Sequence, residues 1–302
     1  MNTNNQPSIS PLQAWILAAR PKTLPAAVSP VLIGTALAIR SDHFDPLPAM
    51  AALVVSLLLQ IGVNLANDYF DFKKGVDTEA RLGPVRVTQS GLIPAQTVKR
   101  AMFGTLLTAC LSGFYLVLIG GWPILLLGIA AIMSALAYSG GPFPLASNGL
   151  GDLFVFIFFG PVAVCGTYYV QALQLSNLAI VMSVPVGLLI TAILVVNNLR
   201  DIATDRGTGK RTMAVFIGVK GSRSEYLLLL GIAYLIPIYA IYAEMISIYG
   251  LLILLSLPFA FPPLRLVLFE EGKLLNQGLA GTARLTFLFS LLLSVGLLIN
   301  GQ

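Results

Sequence analysis

The sequence predicts an all-α integral membrane protein: a bundle of about nine transmembrane helices, forming one domain over residues 1–302. Three observations carry that expectation. The chain is 57% hydrophobic and only 10% charged, where a soluble domain carries roughly 25% charged residues. Apolar runs recur along its whole length and are long enough for helices to cross the ~30 Å hydrocarbon core, far longer than the ~10-residue strands of a membrane barrel. Its basic residues also alternate between the connecting segments as the positive-inside rule requires.

Taken in order, the apolar windows place spans at 13–39, 47–70, 97–119, 122–139, 150–171, 178–199, 223–243, 247–268 and 281–299. The first holds Arg20, Pro21, Lys22, Pro25 and Pro30, so it should bend or begin along the membrane surface. Pro161, Pro185, Pro237 and Pro258 fall inside later spans and predict kinks whose freed carbonyls find partners within the bundle. The segment 1–11 is polar without a basic start and does not read as a signal peptide.

With a cytoplasmic N-terminus, the loops after spans two, four, six and eight face the cytoplasm. That side then holds every lysine and arginine of the 18 except Arg40. The bias predicts a protein of the cytoplasmic membrane, in contact with lipid, and the net charge of +5 is accounted for by topology rather than by nucleic acid. Cys110 and Cys165 lie far apart and His43 is the sole histidine, which excludes a disulfide framework and a zinc cluster.

Two polar stretches interrupt this apolar chain. After the run 49–63 comes NLANDYFDFKKGVDTEARLGPVRVTQSG (64–91), and after 179–196 comes NNLRDIATDRGTGKRTMA (197–214). The first spaces Asn67 and Asp71 four apart, the second Asn197, Asp201 and Asp205. Residues i, i+4 and i+8 share one helical face. Carboxylates so placed repel one another, and acids at a membrane edge are costly enough to mark a functional site. A bound cation removes the objection. Magnesium suits it, being held by one or two carboxylates together with substrate phosphates, and two facing clusters could hold two ions.

Basic residues flank both clusters: Lys73, Arg81, Arg86, Arg200, Lys210 and Arg211 are candidates to bind a diphosphate, with Gly83–Pro84 shaping the loop between Arg81 and Arg86. A diphosphate site opening into an apolar bundle implies a lipid tail. An allylic diphosphate fits, because the carbocation left when diphosphate departs needs a dry, aromatic pocket. Tyr69, Phe70, Tyr138, Phe143, Tyr168 and Tyr169 could line it.

Several motifs resemble the UbiA superfamily of membrane prenyltransferases, and within it the branch acting on 1,4-dihydroxy-2-naphthoate. They are ARPKTLPAA (19–27), NDYFD (67–71) with KGVD (74–77), LGPVRVT (82–88), YSGGP (138–142), GLGD (149–152), FGP (159–161) with GTYYVQ (166–171), and NNLRDIATD (197–205) with GKRT (209–212). The resemblance implies nine helices around a lipid-accessible central cavity. It implies magnesium-dependent transfer of a polyprenyl or phytyl group from its diphosphate to an aromatic acid. In the naphthoate branch the acceptor's carboxylate is lost, giving a demethylmenaquinol-type product for menaquinone or phylloquinone synthesis. Metal and diphosphate roles carry over to Asn67, Asp71, Asp201 and Asp205, with Asn197 on the same face and Asp68 beside the first motif. The wider superfamily has another aspartate four residues after Asp71, where this chain has Gly75; Asp77 is the nearest acid, as in the naphthoate branch. Lys74 and Tyr138 join the catalytic set. Tail length stays open, as do a 4-hydroxybenzoate- or homogentisate-type acceptor and, in another class, a transporter.

Overall fold

A computed structural model describes residues 9–75 and 82–299, which are helical with no strand among them. The helices are α1 (Pro11–Ala19), α2 (Leu24–Arg40), α3 (Pro46–Lys73), α4 (Ala95–Ser139), α5 (Gly151–Ile157), α6 (Ala163–Ala172), α7 (Asn177–Gly207), α8 (Met213–Tyr242), α9 (Leu257–Phe269) and α10 (Leu275–Leu298). Asp77, Glu79 and Arg81 lie outside the described residues.

Among the described residues eight helical stretches are long and apolar enough to cross a membrane, against the nine spans expected. The difference is α4. At 45 residues a straight helix would run about 68 Å, twice the membrane core. It breaks at Gly121, whose φ of 70° and ψ of −155° suit only glycine. Leu116 and Val117 before the break share one apolar cluster with Ile124 and Leu127 after it, so the chain doubles back. The eight stretches therefore make nine legs, with the turn between the limits read from the sequence.

The first span also breaks where its prolines cluster. α1 ends at Arg20, held in the left-handed region at φ 53°. α1 buries Ala14 and Ala18 against Leu65 and Ala66 of α3 and leaves Leu12, Trp15 and Ile16 exposed, as a surface-lying helix does. α3 satisfies the polar groups of the break: Asn64 Nδ2 donates to the Ala19 carbonyl at 2.9 Å and to Thr23 Oγ1 at 3.0 Å, and Gln60 Nε2 donates to Thr23 Oγ1 at 3.1 Å.

α7 is the central post. Val186, Leu189, Ile190, Val195 and Val196 are buried in one core with Ile33 and Leu37 of α2 and Leu285, Phe289 and Leu293 of α10. Between α5 and α6 a π-helical segment, Phe158–Val162, accommodates Pro161; such a bulge re-registers the ladder around a residue that cannot donate. Its Gly160 meets Gly187 of α7 closely enough that a Cβ would come within 2.9 Å of the Ser183 carbonyl oxygen. Small residues permit this backbone approach, which supports helix association in lipid. In α10, Thr282, Thr286, Ser290 and Ser294 are buried, and each hydroxyl donates to the carbonyl four residues back.

Candidate active site

The legs enclose a cavity of about 680 Å³. Its body is apolar, walled by Val55, Leu59, Ile124, Ile132 and Val162, together with Phe114, Phe154, Phe158 and Phe159. Phe114, Leu125 and Ile129 of α4 line it while remaining exposed, so its flank there is open, as a lipid-accessible cavity requires. One end is polar, and there the C-terminal parts of α3 and α7 both border the cavity.

Along α3, Gln60, Asn64, Asn67 and Asp71 line this end; along α7, Asn197, Asp201 and Asp205 do, with Asn198, Thr204 and Thr208. The two faces inferred from four-residue spacing thus border one space. Asp68 does not join them. One residue past Asn67 it is turned about 100° around the helix, and its carboxylate accepts the Val87 N–H at 3.1 Å and the Thr88 N–H at 3.0 Å. It is 1% exposed. Expected as a metal ligand, it instead anchors the loop that follows α3.

That loop carries Arg86, which is buried and lines the cavity. Arg86 Nη2 lies 3.0 Å from Asp71 Oδ2, and Lys210 Nζ, from the segment after α7, lies 3.5 Å from the same oxygen. Asp71 thereby joins the two halves of the site. Arg200 behaves differently from its assignment as a diphosphate ligand. It does not line the cavity, and its side chain is wholly buried against Asp201. Nε donates to Asp201 Oδ1 at 2.8 Å, and Nη2 donates to Asp201 Oδ2 and to Asn197 Oδ1. Each carboxylate oxygen keeps a second lone pair for the cavity side.

Lys73 and Arg211 are exposed and off the cavity wall; the Arg211 N–H donates to the Ser147 carbonyl at 2.9 Å. Lys74 Nζ donates to the carbonyl oxygens of Ser139 at 2.7 Å and Gly141 at 3.4 Å, tying α3 to the end of α4. Partial burial lowers the Lys74 pKa, opposed by nearby Asp71 and aided by Lys210. Ser139 Oγ in turn donates to Asn67 Oδ1 at 2.6 Å. Tyr138 lines the cavity. Tyr69, Phe70, Phe143, Tyr168 and Tyr169 do not, although all were candidates for its aromatic wall. Tyr69 receives Lys99 over its ring at 5.9 Å, and the Tyr168 hydroxyl accepts from Ser41 Oγ at 3.4 Å.

Arg20 lines the cavity and went unassigned in the sequence reading, as did the phenylalanines of α5 and the π segment. The signal for Arg20 was available: a charged residue before proline inside an apolar span. The phenylalanines carry no such mark, because an aromatic ring in an apolar span reads the same whether it faces a cavity or lipid.

The donors offered to the cavity are the amides of Asn67 and Asn197 and the carboxylates of Asp71, Asp201 and Asp205, all oxygen ligands suited to magnesium. Among the described residues no three His, Cys, Asp or Glu converge to hold an ion by themselves. Asparagines and an anionic substrate would have to complete the coordination, which is magnesium's usual habit. Arg86, Lys210 and Arg20 supply positive charge at the same end.

The fold and site define a class: a polytopic helical membrane protein with an apolar cavity capped by oxygen ligands and cations. Residues 27–273 match the UbiA prenyltransferase family, and the chain belongs to it. It is 40% identical over 300 residues to the 1,4-dihydroxy-2-naphthoate octaprenyltransferase of Escherichia coli, covering 97% of each chain. It is 42% identical over 219 residues to the protein of that name from Mycobacterium tuberculosis, covering 72% of this chain and 75% of the relative. A solved UbiA homologue from Archaeoglobus fulgidus, bound to GPP and Mg2+, shares the fold with a TM-score of 0.67 at 14% identity, over 93% of this chain and 99% of that one.

Proposed function

We propose that the chain is a magnesium-dependent prenyltransferase that joins a polyprenyl group, from its allylic diphosphate, to 1,4-dihydroxy-2-naphthoate in menaquinone synthesis. The single observation carrying this is the meeting of two asparagine–aspartate faces with Arg86 and Lys210 at the mouth of an apolar, aromatic cavity. The naphthoate acceptor rests on the names of relatives aligned over most of the chain.

In this reading Asn67, Asp71, Asn197, Asp201 and Asp205 hold magnesium, as one or two ions, and Arg86, Lys210 and Arg20 receive diphosphate oxygens. Bound there, magnesium supplies neutralisation of the charge that grows on the leaving diphosphate. Arg86 and Lys210 add fixed positive charge at a preorganised site. The allylic C–O bond breaks with its electron pair leaving on diphosphate. Phe154, Phe158, Phe159 and Tyr138 face the cavity where the allylic cation develops, and their ring faces favour it. The carboxylate-bearing ring carbon, made electron-rich by the two hydroxyls, attacks and forms the new C–C bond. That carbon then loses carbon dioxide, and the electron pair of the broken C–C bond restores aromaticity. The apolar body receives the tail and keeps water from the cation. Residues 1–302 act as one catalytic unit.

The test is acceptor labelled at its carboxyl carbon. Labelled carbon dioxide should leave in step with diphosphate. Label retained in a prenylated acid, or turnover of 4-hydroxybenzoate in place of the naphthoate, would assign the protein to a different acceptor.

The charge bias further supports the reading that the chain lies in the cytoplasmic membrane with the site loops inward. Single cysteines placed within 82–94 or 208–212 should react with an impermeant maleimide only from the cytoplasmic side, and one replacing Asp42 only from outside. The reverse pattern would refute the orientation.

A further inference from the structure

Asn276 stands in the first turn of α10, beyond the residues matched to the family and off the cavity wall. Its side chain nevertheless touches both halves of the site. Oδ1 accepts from Arg200 Nη1 at 2.7 Å, and Nδ2 donates to the Leu82 carbonyl at 2.9 Å and to the Lys273 carbonyl at 3.0 Å. The amide's orientation follows from its partners, since a guanidinium only donates and a carbonyl only accepts. Arg200 is the group that forks onto Asp201 and Asn197. Leu82 lies four residues before Arg86, which pairs with Asp71.

We propose that Asn276 is a positioning residue: its amide fixes the loop bearing Arg86 relative to the Arg200–Asp201 pair, and so sets the diphosphate end of the cavity. Only an amide of this reach offers an acceptor to the guanidinium and a donor to the loop carbonyl together. Aspartate keeps the first and loses the second; leucine loses both. Asp68 holds the loop's other part through Val87 and Thr88, so removing Asn276 frees the loop at its Leu82 side without detaching it.

The inference rests on the diphosphate reading for its kinetic arm alone. The other arm is trypsin cleavage after Arg86, 6% exposed in the folded protein, followed in detergent as the fragment beginning at Val87. Loss of one part-buried hydrogen bond to the loop should raise local opening about tenfold. Both Asn276→Asp and Asn276→Leu should then be cleaved about tenfold faster than wild type. Asn276→Asp should raise the KM for polyprenyl diphosphate about tenfold with little change in kcat, since Arg200 keeps its acceptor. Asn276→Leu should lower kcat as well. Wild-type cleavage and wild-type KM in folded Asn276→Asp would overturn the proposal, whether or not the leucine variant folds. Absence of turnover in the wild-type protein would count against the proposed reaction and leave the cleavage comparison to decide Asn276.

Discussion

Asp71→Asn and Asp201→Asn each lower turnover by about three orders of magnitude, at saturating magnesium and with the bundle still folded. The charge is lost where oxygen ligands from two helices face one cavity, and an amide binds magnesium far more weakly than a carboxylate. A preorganised electrostatic contact alone is worth about 10²–10³ in rate, and loss of a proposed metal ligand adds to it. The two variants differ in stability. Asp71 sits between Arg86 and Lys210, whereas Asp201 is the sole carboxylate paired with the wholly buried Arg200 among the described residues. Removing one partner of such a pair leaves an uncompensated buried charge, so Asp201→Asn should show the larger fall in melting temperature. Steady-state diphosphate release and thermal unfolding in detergent measure both. Near-normal turnover of either variant would remove that aspartate from the metal site.

Arg86→Gln lowers kcat/KM for polyprenyl diphosphate by about 100-fold or more, and Arg86→Lys recovers only part of it. Truncating one member of a buried, hydrogen-bonded charge pair costs about 2–5 kcal/mol, of which the part realised at the diphosphate appears in the rate. Lysine restores the charge without arginine's planar fork. The loop itself should stay in place, because Asp68 holds the Val87 and Thr88 N–H groups independently. A loss confined to KM for the aromatic acceptor would instead put Arg86 beside the acceptor and away from the diphosphate.

Much of this architecture was legible in the residues because two periodicities survive folding unchanged. Apolar length marks the spans, and the reversal inside the 45-residue α4 falls between the separate spans read at 97–119 and 122–139. Four-residue spacing marks the faces, since Asn67 and Asp71, and Asn197, Asp201 and Asp205, cannot leave one side of a helix. Neighbouring residues were harder. Asp68 and Arg200 sit one position from cavity residues and carry the right chemistry, yet a turn of about 100° sends each into a structural contact. The aromatic wall was misread for a different reason: Phe154, Phe158 and Phe159 lie in an apolar span and line the cavity, and nothing local distinguishes a cavity-facing ring from a lipid-facing one. Contacts distant in sequence, such as Asn276 with Leu82 across 194 residues, leave no periodic trace at all.

In the proposed reaction one cavity brings magnesium, prenyl diphosphate and dihydroxynaphthoate together. Diphosphate release by the purified protein, supplied with a polyprenyl diphosphate, tests it most directly. Release is expected only when both dihydroxynaphthoate and magnesium are present, stoichiometric with the prenylated product and abolished by EDTA. Release undiminished by EDTA, or none with dihydroxynaphthoate at saturating magnesium, would contradict it.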